Sequence, residues 1–237
     1  MTTAPNRPIP RWLKLAYSVF VAILVPIYWV TYSPWNFLYF CDVALLLTLV
    51  AIWTENALLV SMSSVGILLP QMLWVLDFLT RAIAGIHLTG MTAYMFDPSI
   101  PVFVRGLSTF HGWLPFVLLY LLSRVGYDAR AYKVQATLAV VLLLVCFYLA
   151  PAPPPSTEFP SHAVNINYVY GMDDKHPQSV MAPELWLLLM IVVNVVVLYV
   201  PTHLILRKIC APAVSYRGLA VQRAGSTESR LGTSVRA

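Results

Sequence analysis

Charge is what this sequence has least of. Of its 237 residues only 11% are charged, against about 25% in soluble domains. A chain 59% hydrophobic, with mean hydropathy +0.73, cannot hide that surface in one soluble core, which argues for a polytopic membrane protein. Other absences narrow the chemistry. There is no Walker loop, no Gly-x-Gly-x-x-Gly and no Gly-x-Ser-x-Gly elbow, and the histidines and cysteines lack zinc-site spacing. Neither a cofactor nor a metal is expected. His162 and His176 share one loop, where solvated side chains are the simpler reading. The formal charge of +5 is explained by where the basic residues lie, so nucleic acid is not an expected partner. Cysteines number three. Cys41 and Cys146 both fall toward one side and could pair, but two reduced, buried thiols are expected. Cys210, beside Arg207 and Lys208, is placed for palmitoylation.

What the chain has instead is long apolar runs. Six are near the ~20 residues a bilayer core requires: 12–32, 35–53, 57–79, 102–123, 131–150 and 183–206. The first is too long for a secretion signal and no small-residue cleavage site follows, so it is a retained helix. Pro26, Pro70 and Pro115 fall inside spans and predict kinks. Seven tryptophans and thirteen tyrosines fit interfacial belts, as in "PIYWVTYSPW".

Basic residues set the orientation. With a cytoplasmic N-terminus, Arg7, Arg11, Lys14, Arg124, Arg130, Lys133, Arg207, Lys208, Arg217, Arg223, Arg230 and Arg236 lie inside. Arg81, Arg105 and Lys175 lie outside, twelve against three. The expected fold is therefore all-α, a one-domain bundle of six transmembrane helices over residues 1–210, with both termini cytoplasmic. The stretch 80–101 is moderately apolar and is expected on, or dipping into, the outer leaflet. The loop 151–183 starts Pro-rich and semi-rigid. The tail 211–237, rich in Ser, Gly, Arg and Thr, is expected to be disordered.

An ionisable group at membrane depth marks a functional site by default, and several share one depth. Cys41 lies six residues past Trp35 and His111 six past Arg105, each about 9 Å below the outer boundary. Asp42, Asn36, Ser108 and Thr109 share that band, and Asp77 sits near the outer end of its helix. Asn165, Asn167, Tyr168 and Tyr170 occupy the outer loop. Beyond His203, the inner half shows little comparable. Each residue also has a plainer role: Cys41 as buried filler, His111 as interhelical glue, Asp77 with Arg81 as an i, i+4 ion pair, and Asn165 to Tyr170 as a capping loop. Asp42 has no partner in its own helix and is hardest to explain that way.

Three stretches occur in an order seen elsewhere: "WNFLYFCDVALLL", "FVRGLSTFHGWLPFVLL" and "NINYVYGMDDKHPQSVMAPELW". Over roughly Trp35 to Trp186 the chain resembles the bacterial YwaF-like integral membrane proteins. It is similar, more distantly, to the androgen-induced hydrolases of branched fatty-acid esters and to a cysteine-dependent transmembrane phospholipid acyltransferase family. The resemblance implies a nucleophile on the second helix and an assisting histidine. The hydrolases' threonine falls at Tyr39, a departure. The acyltransferase's cysteine falls at Cys41 and the histidine at His111. Asp42 or Asp77 would orient the imidazole, and Asn36, Asn165, Asn167, Tyr168 and Tyr170 would line the site, an Asn donating to the oxyanion. The implied function is lipid acyl hydrolysis or transfer in a bacterial inner membrane, with membrane lipids as partners. The alternatives are a non-enzymatic accessory subunit and a small-molecule transporter, which the bare inner half disfavours.

Overall fold

The most buried helix is the one with the most polar interior residues. It runs Ala57–Ala84 and carries Ser61, Ser63, Ser64, Gln71 and Asp77 inside the bundle. A helix enclosed by its neighbours can hide polar side chains from lipid, and here its main neighbours are Phe40–Thr54, Phe110–Val125 and Ala131–Tyr148. In the computed structural model, which describes residues 8–86, 88–173 and 176–213, the helices in chain order are α1 (Arg11–Tyr32), α2 (Phe40–Thr54), α3 (Ala57–Ala84), α4 (Val102–Leu107), α5 (Phe110–Val125), α6 (Ala131–Tyr148), α7 (Pro183–Val192) and α8 (Val200–Ile209). No strand occurs among the described residues.

Five helical stretches are long and apolar enough to cross a membrane: Arg11–Tyr32, Ala57–Ala84, Val102–Val125, Ala131–Tyr148 and Pro183–Ile209. The protein is thus an all-helical, multi-pass bundle. The expected span 35–53 is shorter than the sequence indicates. α2 has 15 residues, about 22 Å at 1.5 Å each. Ahead of it Pro34–Leu38 form a 3₁₀ turn, with Ser33 at φ 74° and Tyr39 extended at φ −59°, ψ 138°. Pro34 at the start of the turn fixes its own φ and cannot donate a hydrogen bond, so the chain tightens before it becomes α-helical.

The three intraspan prolines do not end their helices; α1, α3 and α5 run through them. The breaks fall elsewhere. Ser108–Thr109 separate α4 from α5, and Val193–Tyr199 form a π-helical segment between α7 and α8.

Both ends of the bundle are tied. At the basic end, Lys14 Nζ meets Glu55 Oε1 at 2.8 Å, and Ile9 N–H donates to the same oxygen. Asn56 caps α3 through Leu58 and Leu59 N–H. Arg124 reaches the Pro8 carbonyl, and Tyr127 exchanges backbone hydrogen bonds with Ala211 and Ala213. Ala211–Ala213, read from sequence as the start of a disordered tail, therefore continue the fold. The remaining tail lies outside the described residues, as do Arg7, His87 and Lys175 and the four tail arginines. At the opposite end, the two long loops close over the helix termini.

Candidate functional site

Two loops build the loop-capped end, and most of the site residues read from sequence belong to that construction. Asn167, held at φ 58°, accepts from Phe40 N–H at 3.0 Å and donates to the Leu38 carbonyl at 2.9 Å. One amide thus bridges the extended residue Tyr39 and fixes where α2 begins. Its nitrogen also lies 3.5 Å from Cys146 Sγ. Asn165, at φ 48°, donates to the Gly171 and Asp173 carbonyls and accepts from Tyr170 N–H. Asn tolerates this left-handed backbone better than most residues. Tyr170 stacks on Phe147 and donates to its carbonyl, while the Tyr168 carbonyl accepts from Trp186. The same loop joins α1 through Ala163 N–H to Tyr32 and Ser161 to Thr31. The amides of Asn165 and Asn167 are committed to backbone groups of this loop and of the start of α2.

Asp77 is equally committed. It is fully buried, and its oxygens accept from Thr89, Gly90 and Thr92 N–H and from the Thr92 hydroxyl at 2.5 Å. Three backbone amides and a hydroxyl on one carboxylate fold the stretch after α3 back over the helix end. The Arg105 guanidinium adds a bond to the Met95 carbonyl. Arg81 does not pair with Asp77 as the i, i+4 spacing predicts; it donates to the Gly85 carbonyl and lies over the Phe96 ring. The reason is local competition, because the loop amides and the Thr92 hydroxyl already occupy the carboxylate.

Cys41, Asp42 and His111 remain. Cys41 and Asp42 occupy the first turn of α2, where unsatisfied N–H groups favour negative charge. Cys41 Sγ donates toward Asp42 Oδ2 at 3.6 Å, and Asn36 donates to that same oxygen at 3.2 Å. Asp42 is 3% exposed, and its other oxygen, Oδ1, has no partner. His111 sits in the first turn of α5 with Nδ1 2.7 Å from the Ser108 carbonyl, its ring stacked on Trp74 at 5.1 Å. A carbonyl can only accept, so Nδ1 carries the proton and Nε2 keeps a free lone pair. Among the described residues there is no hydrogen bond between Cys41 and His111; the thiol's own partner is Asp42.

Two tyrosines belong to this end, and sequence reading passed over them. Tyr28 and Ser108 share a hydrogen bond of 2.6 Å, and Tyr28 packs edge-on against Tyr32. Tyr94 lies half-buried in the loop after α3. Burial raises the Tyr94 hydroxyl far above the ordinary phenol range, so it stays protonated and available as a donor. "YWVTY" read as an interfacial belt, yet Tyr28 lies on the buried stripe of α1 with Tyr17, Val21 and Leu24. That i, i+4, i+7, i+11 spacing was the signal available.

The basic half of the bundle is more polar than its sequence indicates. Gln135 packs its amide where a Cβ on Gly66 would stand, 2.6 Å away. Thr48, Ser63, Gln71 and Tyr199 are also buried, and each has side-chain polar atoms without a partner. His203 meets the Tyr127 hydroxyl at 2.6 Å. All three cysteines are free thiols. No group of three or more His, Cys, Asp or Glu residues capable of holding a metal occurs among the described residues. Two apolar surface grooves, of about 600 and 370 Å³, lie along α6 and α7 rather than at Cys41.

The chain matches no protein-family model, no curated protein and no solved structure.

Proposed function

We propose that the protein is a six-span membrane enzyme of lipid acyl transfer or hydrolysis, with both termini cytoplasmic and the Cys41 site in the outer third. The reading keeps the YwaF-like resemblance as its family and a bacterial inner membrane as its location. α2 counts as the sixth span, its 15 residues extended by the 3₁₀ turn before it. The basic end would face the cytoplasm and the loop-capped end the exterior.

One observation carries the chemistry: the Cys41 thiol points its proton at a buried carboxylate, at the N-terminus of a helix. Asp42 is placed to take that proton as general base while the sulfur attacks, so no standing thiolate is required. The Cys41 proton passes to Asp42 Oδ2 while the sulfur attacks an ester carbonyl carbon. As the C–O bond breaks, the alkoxide takes that proton and leaves as an alcohol, and Cys41 holds the acyl group as a thioester. Water or a second alcohol then attacks the thioester and loses its proton to the free Nε2 of His111. The departing thiolate takes up the proton that His111 releases, which returns both groups to their starting state. In this scheme Asp42 replaces histidine as the thiol's immediate partner, and His111 serves the second step.

Incubation of the purified protein with mixed phospholipids, followed by mass spectrometry, tests this. An acyl adduct on Cys41 is expected in wild type and should be lost in Asp42→Asn. In His111→Ala the adduct should accumulate. A Cys41 that carries no adduct and is inert to small thiol reagents rejects the reading.

The buried polar residues of the inner half favour a second reading, solute or proton transport, since Gln71, Gln135, Ser63 and Tyr199 would line a path from the site inward. Flux across proteoliposomes that falls in Gln71→Leu would favour it over catalysis.

A further inference from the structure

One of the two surface grooves carries a charge at its end. It has a volume of about 600 Å³ and is walled by three helices. α2 and α6 both pack on α3; α2 contributes Leu47, α3 the buried Met62, and α6 Val134, Leu138 and Val141. Where α6 meets α3, Gln135 is pressed against Gly66, so the seam between these two helices is closed. Thr137 also lines the groove, but its hydroxyl donates to the Lys133 carbonyl at 3.0 Å. Between Lys133 and Val141 the α6 wall therefore offers a ligand no free donor.

Lys133 is the exception. It is exposed, in the first turn of α6, at the boundary of a stretch long and apolar enough to cross a membrane. Among the described residues no acidic side chain lines the groove, and the ion pairs Lys14–Glu55, Arg130–Asp128 and His176–Asp173 leave Lys133 out. Arg130, one turn earlier, is held by both oxygens of Asp128. An uncompensated cation thus stands at the end of a hydrocarbon-lined furrow. A lysine near a helix end keeps its ammonium at the interface while its stem lies along apolar surface. From Lys133 to Val141 the helix rises about 12 Å, most of one leaflet's share of a ~30 Å hydrocarbon core.

We propose that this groove binds a phospholipid of net negative charge, with an acyl chain against Met62, Leu138 and Val141 and the headgroup phosphate at the Lys133 ammonium. The charge of the site selects the lipid. A zwitterionic headgroup carries a cation that already offsets its phosphate, whereas an anionic headgroup leaves the phosphate for Lys133. A second copy of this chain suits the groove less. A two-fold contact would bring Lys133 toward its own counterpart, with no acid in the lining to offset either. The site is separate from Cys41 and independent of the acyl-transfer reading.

The test uses the full chain purified in a maltoside detergent, with native mass spectrometry to count bound lipids and thermal unfolding to measure affinity. The probes are dioleoyl phosphatidylglycerol, dioleoyl phosphatidylcholine and inorganic phosphate. Phosphatidylglycerol should bind saturably and about fivefold more tightly than phosphatidylcholine, the ratio expected of one interfacial lysine. Lys133→Gln should abolish that preference, and Lys133→Arg should keep it. Thr137→Phe, which fills the groove and leaves the charge, should weaken both lipids by about threefold or more through lost apolar contact. Lys208→Gln, at an exposed position in the last turn of α8, controls for diffuse surface charge and should leave the preference intact. Lys133 and Thr137 are exposed, so their substitution spares the core, and the wild-type comparison of the two lipids stands without any variant. Equal binding of the two lipids, a preference that survives in Lys133→Gln, one lost equally in Lys208→Gln, or unchanged binding by Thr137→Phe overturns the proposal. Stabilisation by inorganic phosphate equal to that by phosphatidylglycerol identifies a free-anion site and also overturns it, as does a stable dimer that binds neither lipid.

Discussion

Asp42 and Asp77 are both buried, at 3% and 0% exposure, near the same end of the bundle. Their surroundings are opposites. Asp77 accepts three backbone N–H groups and a hydroxyl, and a loop is folded around it. Asp42 takes one amide and one thiol on a single oxygen and leaves the other bare. Burial of a carboxylate therefore does not by itself mark a reactive site. The count of satisfied lone pairs separates a carboxylate that holds structure from one held ready for something else.

Substitution should separate them most sharply at Asp77. Asp77→Ala removes the acceptor of three N–H groups and of the Thr92 hydroxyl, the Thr92 pair being buried, and should cost about 2–3 kcal/mol, the upper range for hydrogen bonds to a charged group. Asp42→Asn should cost under about 1 kcal/mol or stabilise, since it relieves an unpaired charge. Denaturant or thermal unfolding in detergent reads both, and equal losses would erase the distinction drawn between them. Asn167→Ala is next. It strands the Phe40 N–H and Leu38 carbonyl, at about 1–3 kcal/mol, and should also loosen the start of α2. Faster alkylation of Cys41 in Asn167→Ala than in wild type would show that the loop amide supports the Asp42 side; an unchanged rate would assign it to the loop alone.

Gly66→Ala probes the basic half of the bundle. A methyl there meets Gln135 at 2.6 Å, and forcing the amide aside should cost about 1–3 kcal/mol. A neutral result would mean that Gln135 moves freely. The smallest effect belongs to Glu55 at the basic end. Burial alone would raise its carboxyl, but Lys14 and the Ile9 N–H outweigh that and hold it below the usual range. A depressed folded-state value means the contribution is complete above the unfolded value, about 4.3, and is lost as pH falls through the folded one. Partly exposed pairs contribute at most about 1 kcal/mol. The difference in unfolding midpoint between wild type and Glu55→Gln should therefore be present at pH 6 and shrink progressively as pH falls below about 4.3.

Hydropathy made the helical bundle legible, because lipid contact imposes long apolar runs whatever the contacts inside. The start of α2 was not legible that way. Pro34 and the extended Tyr39 interrupt the run, yet their side chains are compatible with it, and the amide that fixes the break comes from residue 167. Asp42 could be picked out because its helix offered it no opposite charge, and in three dimensions one of its oxygens still has no partner. Asp77 was assigned Arg81 from sequence, because its actual partners are backbone amides of a later loop, and backbone groups leave no mark in residue identity. The tyrosines went unread for a related reason: an aromatic near a membrane boundary has the same composition whether it faces headgroups or the bundle interior.

The shortness of α2 has a consequence for biogenesis. About 22 Å of helix, headed by a 3₁₀ turn and carrying a buried acid, is a poor candidate to leave the translocation channel alone. α3 follows after only Glu55 and Asn56, and it supplies both the missing apolar surface and the enclosure that α2 lacks. On the six-span reading, the two enter the bilayer together as a hairpin. Asp42 would then stay in the aqueous channel until α3 has been synthesised, and a chain truncated before Gln71 should leave α2 uninserted.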